Sequence, residues 1–286
     1  MTSRRFESVA AASVTWLARG AAALFLFIAF ALLKESLPAL SHASVWGFLS
    51  GSDWQPTLPD PVLGILPMIA GTLAVSIGAI VAALPVGVGA ALALCTAGPR
   101  TRAVVRPVID VLAGIPSVVY GFVGLLTVVR GFERLGMGSG ESVLAASLVL
   151  GAMILPFIVA VCEESMRDAV ARYGAASLAL GVGRDEMLLR LVLPASRRAI
   201  FAAAVSGLAR ALGETMAVMM VAGNSPLFPT LLGRTETIPA LIALEMGCAE
   251  VGSLHVSGLY AAGFVLTLLL FALSLVAHRL RGRAGR

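Results

Sequence analysis

The sequence predicts an all-α polytopic membrane protein with six transmembrane helices, and three observations carry that expectation. Hydrophobic residues make up 58% of the 286 residues and charged residues only 13%, against roughly 45 to 50% and 25% in soluble domains. Mean hydropathy is +0.94. The apolar residues gather in runs long enough to cross a hydrocarbon core of about 30 Å at about 1.5 Å per residue. Between the runs, arginine content alternates from loop to loop.

Taken in order, the spans fall at about 12–33, 63–94, 107–129, 142–162, 199–222 and 257–277. The first follows the basic Arg4-Arg5 start and reads as a membrane anchor; Ser41-His42-Ala43 only loosely imitates a leader cleavage site. The loop after it holds Trp46 and Trp54, residues suited to the headgroup belt. From Val62 to Leu94 no charge occurs, and Pro67 and Pro85 divide the run without a polar turn, so one tilted helix is expected. The third span carries Asp110, matched by Arg106 at i−4, and Gly114-Ile-Pro-Ser-Val-Val-Tyr-Gly121, a glycine and proline content that neighbouring helices must cover.

The fourth span opens onto a long polar segment, 163–198. After the fifth, the piece Thr237 to Met246 places Ile238, Leu241, Ile242 and Glu245 at helical spacing, as in a surface helix. The sixth ends in the basic tail from His278 to Arg286.

Loop charges give the orientation. Arg4 and Arg5, then Arg100, Arg102 and Arg106, then six arginines in 163–198, then four at the tail stand on one side. Lys34, Arg130 with Arg134, and Arg234 stand on the other. The positive-inside rule puts both termini in the cytoplasm. No internal repeat or soluble domain is visible, so residues 1–286 read as one membrane domain.

Composition excludes several functions. A net charge of +5, placed at membrane edges, argues against nucleic acid as a partner and for membrane lipid. Cys95, Cys162 and Cys248 lie in or beside apolar segments without C-x-x-C spacing, which fits packing rather than a disulfide or metal site. His255 has no second histidine near enough for a metal pair. Lys34, the single lysine, follows no glycine-rich loop, so the chain has no P-loop. The chain is expected to bind no cofactor and to catalyse nothing; if ATP drives it, ATP and Mg sit on another subunit.

The chemistry concentrates in Gly207-Leu-Ala-Arg-Ala-Leu-Gly-Glu-Thr-Met-Ala-Val-Met-Met-Val-Ala222. Arg210 and Glu214 stand at i and i+4, on one face of a helix, and each charge at mid-membrane costs about 2.5 to 3.5 kcal/mol. A buried ion pair seldom returns that cost as stability. Ionisable groups at such depth mark a substrate path or proton relay; a structural bridge between helices is the alternative. Thr215, Ser117 and Tyr120 are further candidates for the path, or else bond to neighbouring backbone.

Tyr173-Gly-Ala-Ala-Ser-Leu-Ala-Leu-Gly181 and the residues on to Pro194 resemble the cytoplasmic loop of ABC importer inner-membrane permeases, E-A-A, three residues, G, nine residues, I-x-L-P. Gly181, Leu191, Leu193 and Pro194 match; Ala175-Ala176-Ser177 stands at the E-A-A site, so its glutamate is absent. The expected structure is two short helices meeting at a turn near Gly181 and Gly183. The second begins at Arg184, with Asp185 and Glu186 near its start and Met187, Leu188 and Leu191 on one side as a knob for a partner.

The stretches Gly114–Gly121, Gly207–Val218 and Gly223-Asn224 further resemble the permeases of bacterial high-affinity phosphate import, more the PstC than the PstA type. The resemblance implies a type I ABC importer permease fold in the bacterial inner membrane. It also implies a second, paralogous permease, two ATPase subunits and a periplasmic phosphate-binding protein as partners, and inward transport by alternating access. On that footing Arg210 would meet two phosphate oxygens through its planar guanidinium. Glu214 would either pair with Arg210 in the empty path or accept the proton of hydrogen phosphate, which sulfate lacks. Permeases for sulfate, molybdate or phosphonate, a stand-alone secondary transporter and a membrane enzyme are the rival classes.

Overall fold

The computed structural model describes the backbone of residues 2–283 and the side chains of residues 13–276. Arg4, Arg5 and the tail from His278 to Arg286 lie outside the residues whose side chains are described.

Helix α1 (Thr2–Ala43) is followed by α2 (Val45–Ser50), whose first turn is capped by the Ser44 hydroxyl accepting from Gly47 N. A two-residue hairpin, β1 (Trp54–Gln55) with β2 (Val62–Leu63), closes the loop. Helix α3 (Leu66–Cys95) begins with Pro67 in its first turn, where no N–H is needed, and runs through Pro85 as one helix. Next come α4 (Pro99–Gly114) and α5 (Ser117–Gly124), the latter continuing through a π-helical turn, Leu125–Val129, into α6 (Arg130–Arg134).

Helix α7 (Val143–Ala179) is the axis of the molecule: 67% of its most apolar stretch is buried, against 0% for α1. Its N-terminal amides are fully used. Ser142 N, Val143 N and Leu144 N donate to the carbonyls of Val221, Gly233 and Leu231, and Ser142 Oγ caps Ala145 N. A later loop is thereby fastened to the helix end that most needs acceptors.

The chain then turns at Gly181 (φ 71°) and resumes as α8 (Arg184–Met187), a π-helical turn Leu188–Val192 and α9 (Leu193–Ala195). Helix α10 (Arg197–Leu212) is separated by a short break from α11 (Met216–Met219); α12 (Ile238–Glu245) and α13 (Leu254–Arg283) complete the order. Among the described residues four helices are long and apolar enough to cross a bilayer without interruption, and the bent pair 99–114 with 117–134 makes a fifth if it is one broken span rather than a re-entrant loop. The broken pair α10 and α11 occupies the remaining predicted span, a layout consistent with six.

Several local expectations are corrected. The third span, expected over 107–129, begins at Pro99 and bends by 95° between Gly114 and Ser117, where Pro116 lacks the N–H that would have met Leu112 O. The fourth does not end at Cys162. Cys162, Glu163, Met166 and Ala169 are buried at helical spacing and carry α7 seventeen residues further. The 163–198 segment therefore holds the end of α7, the turn at Gly181 and one unbroken helical stretch from Arg184 to Ala195, rather than two short helices. The 237–246 piece is no surface helix; Ile238, Pro239, Ala240 and Leu241 are buried. Trp54 leaves the headgroup belt for the core, whereas Trp46 stays exposed. Cys248 is exposed rather than packed.

Two cores hold these elements. One lies between α3, α7 and α10; the other, at the opposite end of α3 from Cys95, joins Phe48, Trp54, Ile65, Met68, Leu241 and Leu259. In the first, buried α3 residues recur every fourth position, Val75, Ala79, Ala83, Gly87, Ala91 and Cys95, and Gly71 continues the same row to meet the backbone of Glu236. Small side chains at this spacing let two membrane helices approach closely. A Cβ on Gly87 would stand 2.7 Å from Ile158 Cγ2, whereas Gly89, two residues on, faces open space. Gly87→Leu is accordingly expected to cost about 1 to 3 kcal/mol. Thermal unfolding in detergent checks this, with Gly89→Leu near wild type as the control.

Candidate substrate path and coupling site

Because α10 ends at Leu212, Arg210 and Glu214 do not share one helix face. Arg210 sits exposed in the last turn of α10, where a cation meets the negative end of the helix dipole. Glu214 lies in the break, and its Oε1 accepts from Ala217 N at 3.2 Å, serving the first turn of α11. No ion pair joins the two among the described residues, so the anticipated Arg210–Glu214 bridge is replaced by a capped break and an unneutralised guanidinium. Thr215 Oγ1 donates to Gly213 O at 3.4 Å inside the same break.

Beyond the break, α5 packs against α11: a Cβ on Gly121 would lie 2.9 Å from Ala217 Cα. Tyr120 is held here, its hydroxyl donating at 2.9 Å to Leu112 O, the carbonyl that also accepts from Ile115 N at 3.4 Å at the end of α4. Arg210 interacts electrostatically with Tyr120. Arg210, Glu214 and Thr215 thus lie at one interruption, and α5, which carries Tyr120 and opens with the half-buried Ser117, packs against α11 just beyond it. Below α11, Gly223 (φ 87°) and Asn224 (φ 42°) reverse the chain in a conformation that other side chains rarely adopt. Asn224 Nδ2 donates to Met219 O at 2.7 Å. Asp110 and Arg106, expected as an i−4 pair, both line a shallow cavity on α4 and form no ion pair.

In the coupling segment, Met187 is buried and cannot be part of an outward knob. The exposed apolar residues are Leu178, Leu180, Leu189 and Leu191, accompanied by Asp185 and an exposed Glu186–Arg190 pair at 3.1 Å. Gly181 supplies the left-handed turn and Gly183 precedes α8. Pro194 falls within α9 and leads into α10.

Three groups escaped the sequence reading. Arg102 approaches Glu163, which is only 5% exposed, with Nε 3.4 Å from Oε1, and its Nη2 donates to Leu94 O at 2.9 Å. Arg184 donates to Thr96 O. Near the hairpin, Glu245 Oε2 accepts from Trp54 Nε1 at 2.9 Å and lies 2.7 Å from His255 Nε2, so His255 is a hydrogen-bonded network member. Buried Glu236 follows in the same region; burial, then the charge of Glu245, pushes its carboxyl up to about 7. The sequence signal for Glu163 was its place four residues after Val159 and three before Met166, on the buried face of the helix; nothing local pointed to Arg102, 61 residues earlier. Among the described residues no metal-holding group of His, Cys, Asp or Glu occurs.

Long apolar helices together with two interrupted ones are the build of a multi-pass membrane protein. The chain belongs to the family described as the binding-protein-dependent transport system inner membrane component, whose model matches residues 83–285. It is 36% identical over 239 residues to the probable ABC transporter permease protein YqgH of Bacillus subtilis, covering 82% of this chain and 77% of that protein. It is 32% identical over 296 residues to the phosphate transport system permease protein PstC of Xylella fastidiosa, covering 92% and 90%. PstC 1 of Mycobacterium tuberculosis is 32% identical, covering 84% and 82%. The fold matches an inward-facing structure of the MetNI methionine ABC transporter with a TM-score of 0.54, covering 76% of this chain and 92% of that one at 18% identity.

Proposed function

We propose that this chain is the PstC-type permease subunit of an ATP-driven importer that carries inorganic phosphate into the bacterial cytoplasm. The observation that carries this reading is likeness along nearly the whole length to proteins named as phosphate permeases, together with an arginine left without a counter-ion at a helix break. The partners are a second, paralogous permease, two ATPase subunits that bind ATP and Mg, and a periplasmic phosphate-binding protein. Both termini lie in the cytoplasm, on the side of the arginine-rich 163–198 segment. The permease performs no covalent chemistry; nucleotide events on the ATPase reach it through the exposed turn at 178–191 and move the breaks.

Arg210 offers paired donors to two phosphate oxygens. Glu214, with Oε1 committed to Ala217 N, has Oε2 left to accept the proton of hydrogen phosphate; fully ionised sulfate presents no such proton. Gln at this position still caps Ala217 but places a donor where the acceptor was. Glu214→Gln is therefore expected to lower the preference for phosphate over sulfate by about tenfold. The test is uptake of both anions by the complete complex in proteoliposomes. Import by wild type that needs the ATPase and favours phosphate supports the reading. Import of another oxyanion in preference, or transport by this chain alone on an ion gradient, overturns it.

A further inference from the structure

Helix α4 is 16 residues long, about 24 Å, and none of its residues is buried. Polar ties at its two ends fix it. At its start, Arg102 reaches the Leu94 carbonyl and the buried Glu163 of α7; at its end, Leu112 O takes the hydroxyl of Tyr120, on the helix that packs against α11 just past Arg210. The elbow before it, Thr96 to Gly98, is held from the other direction by Arg184, the first residue of the coupling helix, through Thr96 O. A cavity of about 430 Å³ lies inside this corner, lined by Cys95, Arg102, Val170, Ser177, Arg184 and Met187 among others.

The pair at the corner is not built for stability. Arg102 Nε and Glu163 Oε1 are both buried, and although 3.4 Å apart neither makes a directed hydrogen bond. A buried pair with incomplete hydrogen bonding does not recover its desolvation cost. Such a pair suits a joint that changes its geometry, with room in the adjoining cavity for the change.

We infer that α4 is the lever that links the coupling helix to the anion site, with Arg102–Glu163 as its pivot and the Arg184–Thr96 contact as the point where the stroke enters. Movement of α8 shifts the elbow, α4 turns about Glu163, and its far end moves the Leu112–Tyr120 bond and with it the helix packed against α11 just past Arg210. Arg102 and Glu163 are positioning residues; neither touches the transported anion. The inference rests on the importer reading above, but one of its tests does not depend on which anion is carried.

That test uses Cys95 as a reporter in the complete complex, in a Cys248→Ser background so that the exposed thiol is removed. Cys162 is fully buried and lies away from the cavity, whereas Cys95, largely buried, lines it. Maleimide labelling of Cys95 is expected to change at least about fivefold between the nucleotide-free and ATP-bound complex. In Glu163→Gln, and in the double variant Arg102→Gln with Glu163→Gln, which leaves no buried charge alone, that response is lost. Phosphate moved per ATP hydrolysed falls at least about tenfold while ATP hydrolysis continues. Arg102→Lys, keeping the charge with a shorter reach, recovers part of both. A folded double variant with a wild-type Cys95 response and wild-type coupling ratio overturns the lever. A wild-type complex that hydrolyses ATP without importing phosphate overturns the phosphate reading instead, and the Cys95 response then decides the lever by itself.

Discussion

Replacement of Arg210 by alanine is expected to reduce phosphate import by about 10- to 100-fold, the loss of two charge-assisted hydrogen bonds to the dianion at about 1.5 to 3 kcal/mol. The substitution is clean in structural terms. Arg210 is exposed, forms no ion pair among the described residues and ends α10 rather than filling a core, so its removal strands no buried partner. Arg210→Lys keeps the charge and loses the planar fork, and falls between wild type and alanine. Initial uptake rates in proteoliposomes, with protein amount and ATP hydrolysis measured on the same samples, give the comparison. If Arg210→Ala imports phosphate at the wild-type rate, the guanidinium does not hold the anion and the break after α10 needs another explanation.

The contrast between Arg210 and Glu214 shows what a linear sequence conveys about such a site. Spacing placed both charges on one helix face, and that inference was sound for a continuous helix. It failed because Gly213, Glu214 and Thr215 stop α10 and start α11. The stop was signalled by a polar acceptor two or three residues ahead of a fresh apolar run, the pattern of a helix start. Inside an apolar stretch long enough to span a membrane, that local signal was outweighed by hydropathy. The bend at Ile115-Pro116 has the same history: the residue before proline is pushed out of helical geometry, and only the structure shows Tyr120 reaching back to stabilise the bend.

The reach of α7 was legible in principle. Val159, Cys162, Glu163, Met166 and Ala169 keep a helical period past the end of the apolar run, and the charges between them, Glu164, Arg167 and Asp168, occupy the other faces. Likewise the every-fourth small residue from Gly71 to Cys95 stands in plain view. Other features are long-range and carry no local mark. Arg102 meets Glu163, Arg184 meets Thr96 and Trp54 meets Glu245 only after the helices have packed. Resemblance put Met187 on an outward knob, whereas its side chain is buried, since burial at that position depends on how closely α8 lies against α7.

Glu236 gives the second large expectation. It lies between buried Thr235 and Thr237, in the segment fastened to α3 by Ile238 N donating to Thr72 Oγ1 at 2.9 Å. Burial foremost, and then Glu245, raise its carboxyl from an ordinary 4.5 to about 7. The folded protein therefore holds this proton more tightly than the unfolded chain does. The sign follows: below pH 4.5 both states are protonated and the stability linked to this group is fully present, and it is lost as pH rises through 7. The shift corresponds to a loss on the order of 3 kcal/mol once the group is ionised in both states. Glu236→Gln mimics the protonated form and removes that term, so its thermal midpoint should exceed that of wild type at pH 8.5 and match it at pH 4.5. The two proteins differ only at this carboxyl, and the difference between the two curves reports on Glu236. Parallel curves for the two proteins from pH 4.5 to 8.5 would show that Glu236 is charged in the folded protein and stabilised by a partner that its burial conceals.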